Sequence, residues 1–239
     1  MLELNRIYNM DCLEGMKQIP DGSIDLIATD PPYRVTPKGN NGTMGGHYES
    51  ELTMKGRVFE NNDIDIDDYL PEFYRLLKDG SHCYIMCNNV NLPHFFDSVK
   101  NSGFHFVKLL VWDKRTKICG TYYMGQVEHI FFLRKGSGRP IYDCGVSDLL
   151  SFQNTKDKNE DGSNIHNSQK PVWLMQTLIE CSSLENEVVL DPFMGSGTTA
   201  IAALKSKRNY IGFELDEAYC DMANKRVVDE ISTPKGGLF

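Results

Sequence analysis

Four consecutive residues, Asp30, Pro31, Pro32 and Tyr33, combine a carboxylate, two rigid prolines and an aromatic ring directly after an apolar run. Asp30 and the Pro31 carbonyl can accept the two hydrogens of an amino group, and the second proline fixes the direction of that carbonyl. Tyr33 offers a stacking face for a planar base. This set suits alkylation of an exocyclic amino group on a nucleobase, because the delocalised lone pair of that nitrogen must first be localised.

The apolar run before this turn, residues 24–29, has the length and composition of a strand that is covered on both faces. The strand must end at the turn, because prolines have no N–H to donate to a sheet ladder. Open α/β sheets bind ligands beyond the carboxyl ends of their strands. Asp30 and Tyr33 are therefore expected to line a pocket.

The turn resembles the signature of the amino-group DNA methyltransferases, Asp/Asn/Ser-Pro-Pro followed by Tyr, Phe or Trp. The Asp-Pro-Pro-Tyr form is usual for the N6-adenine enzymes of that family. The resemblance implies S-adenosylmethionine (AdoMet) as methyl donor, double-stranded DNA as partner and an adenine that is flipped out of the helix. Arg34 follows Tyr33 where many members carry a small or amide residue, and we expect it to contact a phosphate beside the flipped base.

A second group of candidate residues lies between positions 187 and 214, where a strand, a glycine-rich turn, a helix, another strand and an acid follow one another. Gly195 and Gly197 permit backbone angles and a close ligand approach that a side chain would block. Glu214 is placed to accept hydrogen bonds from ribose hydroxyls. The Gly-x-Gly-x-x-Ala pattern alone suits a dinucleotide equally well, whereas the lack of a following Gly-Lys-Ser/Thr excludes a P-loop.

The start of this turn, Asp191-Pro192-Phe193, resembles the AdoMet motif Asp-Pro-Phe-x-Gly-x-Gly-Thr of the same methyltransferases. The catalytic motif precedes the cofactor motif, which is the order found in their circularly permuted β group. On that pattern Asp11 contacts the cofactor's adenine. His166 to Pro171 resembles their His-x-Ser/Thr-Gln/Glu-Lys-Pro motif, so Lys170 could pair with the methionine carboxylate. The resemblance thus implies a cofactor site made of Asp11, Lys170, Asp191, Phe193, Gly195, Ser196, Gly197, Thr198 and Glu214.

Charge is unevenly distributed along the 239 residues, which have a net charge of -8 and a pI near 5.3. Residues 100–139 contain eight Lys or Arg and two acids, a local charge of +6 that leaves -14 elsewhere. A basic stretch in an acidic protein is a candidate phosphate-contacting face. We therefore predict that Lys114, Arg115 and Lys117 contact DNA.

Composition and targeting signals restrict the class of protein. The seven cysteines are scattered without metal-binding or redox spacing, so we expect reduced thiols and no metal. The N-terminus resembles no signal peptide, and no apolar run approaches the roughly 18 residues of a membrane span. These observations predict a cytoplasmic protein without membrane contact.

Strand and helix patterns alternate along the chain, which predicts an α/β fold with a doubly wound, mostly parallel sheet. Residues 104–112 and 127–134 are expected to form an antiparallel hairpin at the sheet edge. Residues 66–77 are expected to form a helix that stops at Asp79-Gly80, and Pro171 to open another at its first position. The resemblance adds a Rossmann-like class I methyltransferase fold, circularly permuted.

The length and hydrophobic content fit a single methyltransferase domain at 1–239. We predict a catalytic half at 1–135, a target-recognition segment at 136–167 and an AdoMet-binding half at 168–239. Residues 34–62 are rich in glycine and lack periodicity, so we expect a lid that closes over the substrate. Because the recognition segment is short, we expect specificity to cover few base pairs or to need a second subunit, as in a homodimer.

Several other functions share part of this pattern. An N4-cytosine methyltransferase would use the same geometry, although that group more often carries Ser in place of Asp30. An RNA or protein-glutamine methyltransferase explains the middle segment and the basic hairpin less well. A nicotinamide dehydrogenase built on Gly195 and Gly197 leaves the turn from Asp30 to Tyr33 unexplained, and a non-catalytic DNA-binding protein needs neither pocket.

Overall fold

The computed structural model describes residues 2–33, 64–118, 123–153 and 169–232. The strands are β1 (Arg6–Asn9), β2 (Ile24–Thr29), β3 (Leu77–Cys87), β4 (His105–Ile118), β5 (Gly125–Arg134), β6 (Leu149–Ser151), β7 (Val188–Asp191) and β8 (Asn209–Glu214). The helices are α1 (Cys12–Met16), α2 (Ile66–Leu76), α3 (Leu92–Asn101), α4 (Val172–Ser182), α5 (Thr198–Lys205) and α6 (Glu217–Ser232). The predicted lid at 34–62, including Arg34, and the motif residue His166 lie outside the described residues.

The strands form one sheet in the order β1-β8-β7-β2-β3-β5-β4-β6. The first five strands in this order are β1, β8, β7, β2 and β3, and they pair with one another in parallel. β5 runs antiparallel to both β3 and β4, and β6 pairs in parallel with β4. The doubly wound, mostly parallel sheet with an antiparallel hairpin is thereby confirmed.

The two faces of the sheet carry separate hydrophobic cores, because successive side chains of a strand point to opposite faces. Leu26 and Ala28 pack into a core with α4, α5 and α6. Ile27 packs into a second core with α1, α2 and α3. All six residues of β2 are buried, which is why apolar side chains predominate in this strand.

Helix α2 begins with a capping box, which fixes the helix start beside the active-site edge. The Asp65 side chain accepts from the Asp67 N–H at 3.1 Å, and the Asp68 carboxylate accepts from the Asp65 N–H at 2.9 Å. The buried face of the helix repeats at helical spacing and consists of Ile66, Tyr69, Leu70, Phe73 and Leu76.

None of the helices in the described ranges combines the length and apolar character needed to cross a bilayer.

Three predictions about element boundaries are wrong. Asp79 and Gly80 do not follow α2 as a stop, because β3 starts at Leu77 and the Gly80 N–H donates to the Lys135 carbonyl at 3.0 Å. The hairpin of β4 and β5 is not the edge, since β6 pairs with β4 and covers it. Pro171 is the N-cap of α4 and not its first helical residue.

Candidate active site

The predicted catalytic turn, Asp30 to Tyr33, begins where β2 ends, at the edge where the carboxyl ends of five parallel strands meet. Pro31 is buried, and the Asp30 side chain is 23% exposed. Asp30 Oδ2 accepts a hydrogen bond from the Lys170 ammonium. Asp30 Oδ1 is buried and has no hydrogen-bond partner within the described residues. Because an unpaired buried acceptor is unfavourable, this oxygen is available to a donor from a ligand.

Tyr33 stands close to the charged groups of the site. Burial, followed by the negative charges of Asp30 and Glu128, raises the pKa of the Tyr33 hydroxyl well above its ordinary value. The ring is therefore a neutral phenol at physiological pH, and a neutral aromatic face is what stacking on a base requires.

Three charged side chains lie around Asp30, the predicted catalytic acid, and we call Asp30, Lys114, Glu128 and Lys170 together the charge cluster. Lys170 Nζ contacts Asp30 and lies 3.6 Å from Glu128 Oε2. Lys114 Nζ donates to Glu128 Oε1 at 2.9 Å. Each of the four comes from a different segment: the end of β2, β4, β5 and the residue before the N-cap of α4. Lys170 therefore has its charge matched by two carboxylates of the protein itself.

Burial and charge act against each other in this cluster. Burial alone would lower the pKa of Lys170, but the charges of Asp30 and Glu128 outweigh it and hold this pKa above its ordinary value. Burial alone would raise the pKa of Glu128, but Lys170 and Lys114 hold it below its ordinary value. Burial raises the pKa of Asp30, and Lys170 opposes the rise. The cluster thus favours the charged forms of the lysine and of Glu128.

Asp191 joins the catalytic turn to the predicted cofactor turn. Its carboxylate accepts from the Thr29 hydroxyl and from the Thr199 hydroxyl, each at 2.5 Å, and from the Phe193 N–H at 3.1 Å. Thr29 is the last residue of β2 and Thr199 lies in the first turn of α5. Asp191 is only 3% exposed, so these bonds replace the water that the carboxylate loses.

The buried Asp191 carboxyl makes folding stability depend on pH. Burial raises the pKa of Asp191 from 3.8 to about 6, against the opposing hydrogen bonds of the threonines. The folded protein binds this proton more tightly than the unfolded chain, so the contribution is complete below a pH of about 3.8 and is lost as pH rises through 6. Between these limits, relative to Asp191→Asn, we expect wild type to lose about 2 to 3 kcal/mol of unfolding free energy.

Urea unfolding of wild type and Asp191→Asn at a series of pH values from 4 to 7 measures this difference. The variant cannot titrate at position 191 but keeps the other titratable groups. The difference in unfolding free energy between the two proteins therefore reports the effect of Asp191. A stability difference that does not change with pH would contradict the raised pKa of Asp191.

The two glycines of the predicted cofactor turn have different surroundings. Gly195 has φ +52°, and a Cβ added there would meet nothing within 4 Å in the described structure. Gly197 has φ +83°, and a Cβ added there would lie 3.0 Å from the Ala223 Cβ and 3.2 Å from the Ala223 Cα. Gly195 therefore borders open space, whereas Gly197 allows α5 to pack against α6.

Glu214 and Arg226 hold the remainder of this turn. The Glu214 carboxylate accepts from the Gly195 N–H at 2.8 Å and from the Asp216 N–H at 2.9 Å, and burial raises its pKa. The Arg226 guanidinium donates to the Ser196 carbonyl. Ser196 is buried, so little of its surface is accessible for the predicted contact with the cofactor.

The other predicted cofactor residues lie along the same edge. The Asp11 carboxylate accepts from the Leu13 and Glu14 N–H groups at 2.9 and 3.2 Å and so caps α1. The Phe193 ring packs edge-on against Tyr69. The Thr198 hydroxyl donates to the Lys170 carbonyl at 3.3 Å, which connects the start of α5 to the charge cluster. The neighbouring strands β1, β8, β7 and β2 are followed or ended by one acid each. These acids are, in the order of the sheet, Asp11, Glu214, Asp191 and Asp30.

The basic stretch 100–139 does not form one face. Strands β4 and β5 run antiparallel, so Lys114 and Lys117 lie at the active-site edge while Arg134 lies at the opposite edge, paired in register with His105. Residues at that opposite edge bind the protein itself: Arg139 donates to the Ser182 carbonyl and Lys135 to the Leu77 carbonyl. The basic charge at the active-site edge is therefore smaller than the sequence count indicates.

Within the predicted DNA contacts, Lys114 differs from Arg115 and Lys117. Lys114 is 9% exposed and is ion-paired with Glu128, whereas Arg115 and Lys117 are exposed. No sequence motif marks Glu128, which is one of only two acids within the basic stretch 100–139. An acid in an otherwise apolar strand segment was the signal that could have identified it.

Comparison of the sequence with known proteins gives a consistent family. A profile of the DNA methylase family matches residues 24–143 and 143–225. The chain is 30% identical over 246 residues to the type II methyltransferase M.HinfI of Haemophilus influenzae, covering 94% of this chain and 68% of that protein. It is 29% identical over 240 residues to the type II methyltransferase M2.MboI of Moraxella bovis, covering 92% and 86%.

Solved structures share the fold at lower sequence identity. The crystal structure of the M1.HpyAVI–SAM complex has a TM-score of 0.67 at 22% identity and covers 92% of this chain and 98% of that one. The cytosine-N4-specific PvuII DNA methyltransferase has a TM-score of 0.70 at 17% identity and covers 94% and 90%. At these identities the likeness establishes the fold alone. The profile match over most of the chain, together with the 30% identity to M.HinfI, shows that this protein belongs to the DNA methylase family of N6 and N4 methyltransferases.

Proposed function

We propose that this protein transfers a methyl group from AdoMet to N6 of an adenine flipped out of double-stranded DNA. The observation that carries the proposal is Asp30 Oδ1, a buried carboxylate oxygen without a partner in the described residues, at the carboxyl end of β2. The Pro31 carbonyl is the next acceptor along the chain, and Asp191 ties β2 to the glycine turn through Thr29. Acceptor and cofactor turn are thus held at one edge of the sheet.

Asp30 and Pro31 prepare the amino nitrogen for attack. Each accepts one hydrogen of the amino group, so the lone pair points away from the ring and toward the methyl carbon. The nitrogen–carbon bond forms as the carbon–sulfur bond breaks, and the electron pair of the broken bond stays on sulfur. The nitrogen is then cationic and loses one proton through Asp30. Tyr33 stacks on the base and offsets part of the few kcal/mol that flipping costs.

The cofactor turn fits AdoMet in shape and in donor set. AdoMet supplies a methyl group on a positively charged sulfur. The open space beside Gly195 admits a ligand close to the backbone, and the Glu214 carboxylate at the end of β8 can accept from ribose hydroxyls. The presence of SAM in the M1.HpyAVI complex supports this choice of cofactor. Asp11, Phe193, Ser196, Gly197 and Thr198 complete the proposed site, whereas the paired ammonium of Lys170 makes a contact with the cofactor's carboxylate less favourable.

Adenine is proposed over cytosine because Asp30 occupies the first position of the Asp-Pro-Pro-Tyr turn. The fold does not distinguish the two bases, since the cytosine-N4-specific PvuII enzyme shares it. Expression in cells that lack both N6-methyladenine and N4-methylcytosine, followed by nucleoside analysis of their DNA, tests the base. N6-methyladenine is expected in cells with wild type and not with Asp30→Ala, and N4-methylcytosine would replace the proposal by the cytosine reaction.

Calorimetric titration separates a methyltransferase from a nicotinamide dehydrogenase. AdoMet is expected to bind the purified protein and NAD is not, since the turn from Asp30 to Tyr33 has no use in hydride transfer. Binding of NAD without binding of AdoMet would contradict the proposal.

Arg115 and Lys117 are the proposed phosphate contacts among the described residues, because both are exposed at the active-site edge. We expect Arg115→Ala with Lys117→Ala to weaken DNA binding and to reduce the slope of log affinity against log salt by about 1 to 2. AdoMet affinity should not change. Fluorescence anisotropy with duplex DNA at several salt concentrations measures the slope.

A matched control changes two lysines at the opposite edge of the sheet, Lys205→Ala with Lys207→Ala, which are ion-paired with Glu230 and Glu185. These substitutions remove the same net charge but should leave the slope unchanged. Equal effects of the two pairs would show that Arg115 and Lys117 contribute only general charge.

A further inference from the structure

The charge cluster brings two carboxylates and two ammonium groups together at the catalytic turn. Its side chains are largely buried, with 11% exposure for each lysine, 19% for Glu128 and 23% for Asp30. The formal charges cancel, so the cluster is neutral when all four groups are charged. Four charges from four segments meet here although they are far apart in the sequence.

Stability alone does not account for such a cluster. Desolvation of buried charges cancels much of their mutual attraction, and apolar replacements of buried ion pairs are often neutral or stabilising. The cluster also leaves Asp30 Oδ1 and Glu128 Oε2 without hydrogen-bond partners in the described residues. A buried ionic group that stabilises little and includes the acid proposed to hold the target amine points to a role in the reaction.

We propose that Glu128 is a positioning residue for methyl transfer, which acts through Lys170 on Asp30. Glu128, fixed by its hydrogen bond with Lys114, draws the Lys170 ammonium to a place where it binds Asp30 Oδ2. Oδ2 is thereby occupied, and Oδ1 is left for the amino group. This inference rests on the proposed function, because it assigns Asp30 the task of accepting from the target amine.

Lys170 and Glu128 act on the ionisation of Asp30 with opposite signs. Burial raises the pKa of Asp30, the Lys170 charge lowers it and the Glu128 charge raises it. The titratable and charged groups that interact with Asp30 in the described structure are Tyr33, Cys87, Lys114, Glu128, Lys170 and Asp191. Removing the Glu128 charge must therefore lower the pKa of Asp30, and removing the Lys170 charge must raise it.

Glu128→Gln and Lys170→Met test the inference by the pH dependence of methyl transfer. The acid limb of the rate profile should move to lower pH by about one unit in Glu128→Gln and to higher pH by about one unit in Lys170→Met. The plateau rate should fall at least tenfold in both variants, about the loss of one positioning interaction. AdoMet affinity should stay within a few fold, because the Lys170 ammonium is paired with two carboxylates of the protein and Glu128 is not part of the proposed cofactor site.

A second measurement does not depend on activity. Carbon-13 NMR titration of the aspartate carboxyls, with Asp30 assigned from Asp30→Asn, reports the pKa of Asp30 directly and should show the same opposite shifts. Glu230→Gln is the matched control, because Glu230 also forms an ion pair but lies outside the charge cluster. Its partner is Lys205 at 3.0 Å, and the pair joins α6 to α5. This variant should change neither the NMR titration nor the rate profile.

Three results would overturn the inference: a fall in rate without a shift of the acid limb, shifts of the same sign in both variants, or a large loss of AdoMet affinity in Lys170→Met. The last would place Lys170 on the cofactor. If Lys170→Met does not fold, the sign of the shift in Glu128→Gln decides alone. If wild type transfers no methyl group to DNA, the proposed function fails, while the NMR titration still decides whether Glu128 and Lys170 control Asp30.

Discussion

Asp30→Ala is expected to abolish methyl transfer while leaving AdoMet affinity within a few fold. The side chain supplies the unpaired oxygen that we propose accepts a hydrogen of the target amine, and its other carboxylate oxygen accepts from Lys170, which lies outside the glycine turn. Loss of an oriented acceptor of this kind reduces turnover by about 10² to 10⁴. Single-turnover kinetics and calorimetric titration measure the two quantities separately.

Asp30→Asn is the matched variant, because it keeps the size of the side chain and removes its charge. It should lose nearly as much activity as Asp30→Ala, since its amide cannot both accept from Lys170 and present a carboxylate oxygen to the amine. Circular dichroism establishes that both variants fold. Retention of more than about a tenth of the wild-type turnover, a barrier change below ~1.4 kcal/mol, would remove Asp30 from the reaction.

The second large effect is expected from the glycine turn, where Gly195→Asn and Gly197→Val should fail in different ways. Asparagine tolerates the positive φ of Gly195, and its Cβ meets no atom of the described structure within 4 Å. The side chain would instead occupy the space proposed for the ligand. We expect Gly195→Asn to fold with near wild-type stability and to bind AdoMet at least tenfold more weakly.

Gly197→Val should lose stability, because a β-branched residue is strained at φ +83° and its Cβ would press on Ala223 of α6. A loss of about 2 to 4 kcal/mol is expected from the strain and the overpacking together. Thermal unfolding and AdoMet titration of both variants distinguish the two positions. Unchanged AdoMet affinity in a folded Gly195→Asn would show that the turn is only a connection between strand and helix.

Much of the fold follows from local signals in the sequence. The bounds of β2 were predicted as the structure has them, because an apolar strand that stops at two prolines has a strong local pattern. β6 was missed because three residues cannot establish a periodicity. Its pairing with β4 depends on the approach of residues about 40 positions apart, which no local pattern records.

The candidate site was predictable wherever one short motif carries it. The turn from Asp30 to Tyr33 and the turn from Asp191 to Thr198 each lie in one segment, and the common edge of the sheet follows from their positions after strands. The contact between Lys170 and Asp30 spans 140 residues, and Glu128 reaches both only through the register of β5 on β3. Contacts of that kind depend on tertiary packing, so no sequence motif could show that Lys170 contacts Asp30 or that Glu128 lies beside them.

The measurement that tests the account most directly uses AdoMet with a deuterated methyl group. The purified protein is incubated with this donor and with unmethylated duplex DNA of high sequence complexity, and the DNA is digested to nucleosides for mass spectrometry. The account predicts the label in N6-methyldeoxyadenosine with wild type and its absence with Asp30→Ala. Label in N4-methyldeoxycytidine would contradict the choice of base, and a protein that binds AdoMet and DNA but labels no nucleoside would contradict the proposed reaction itself.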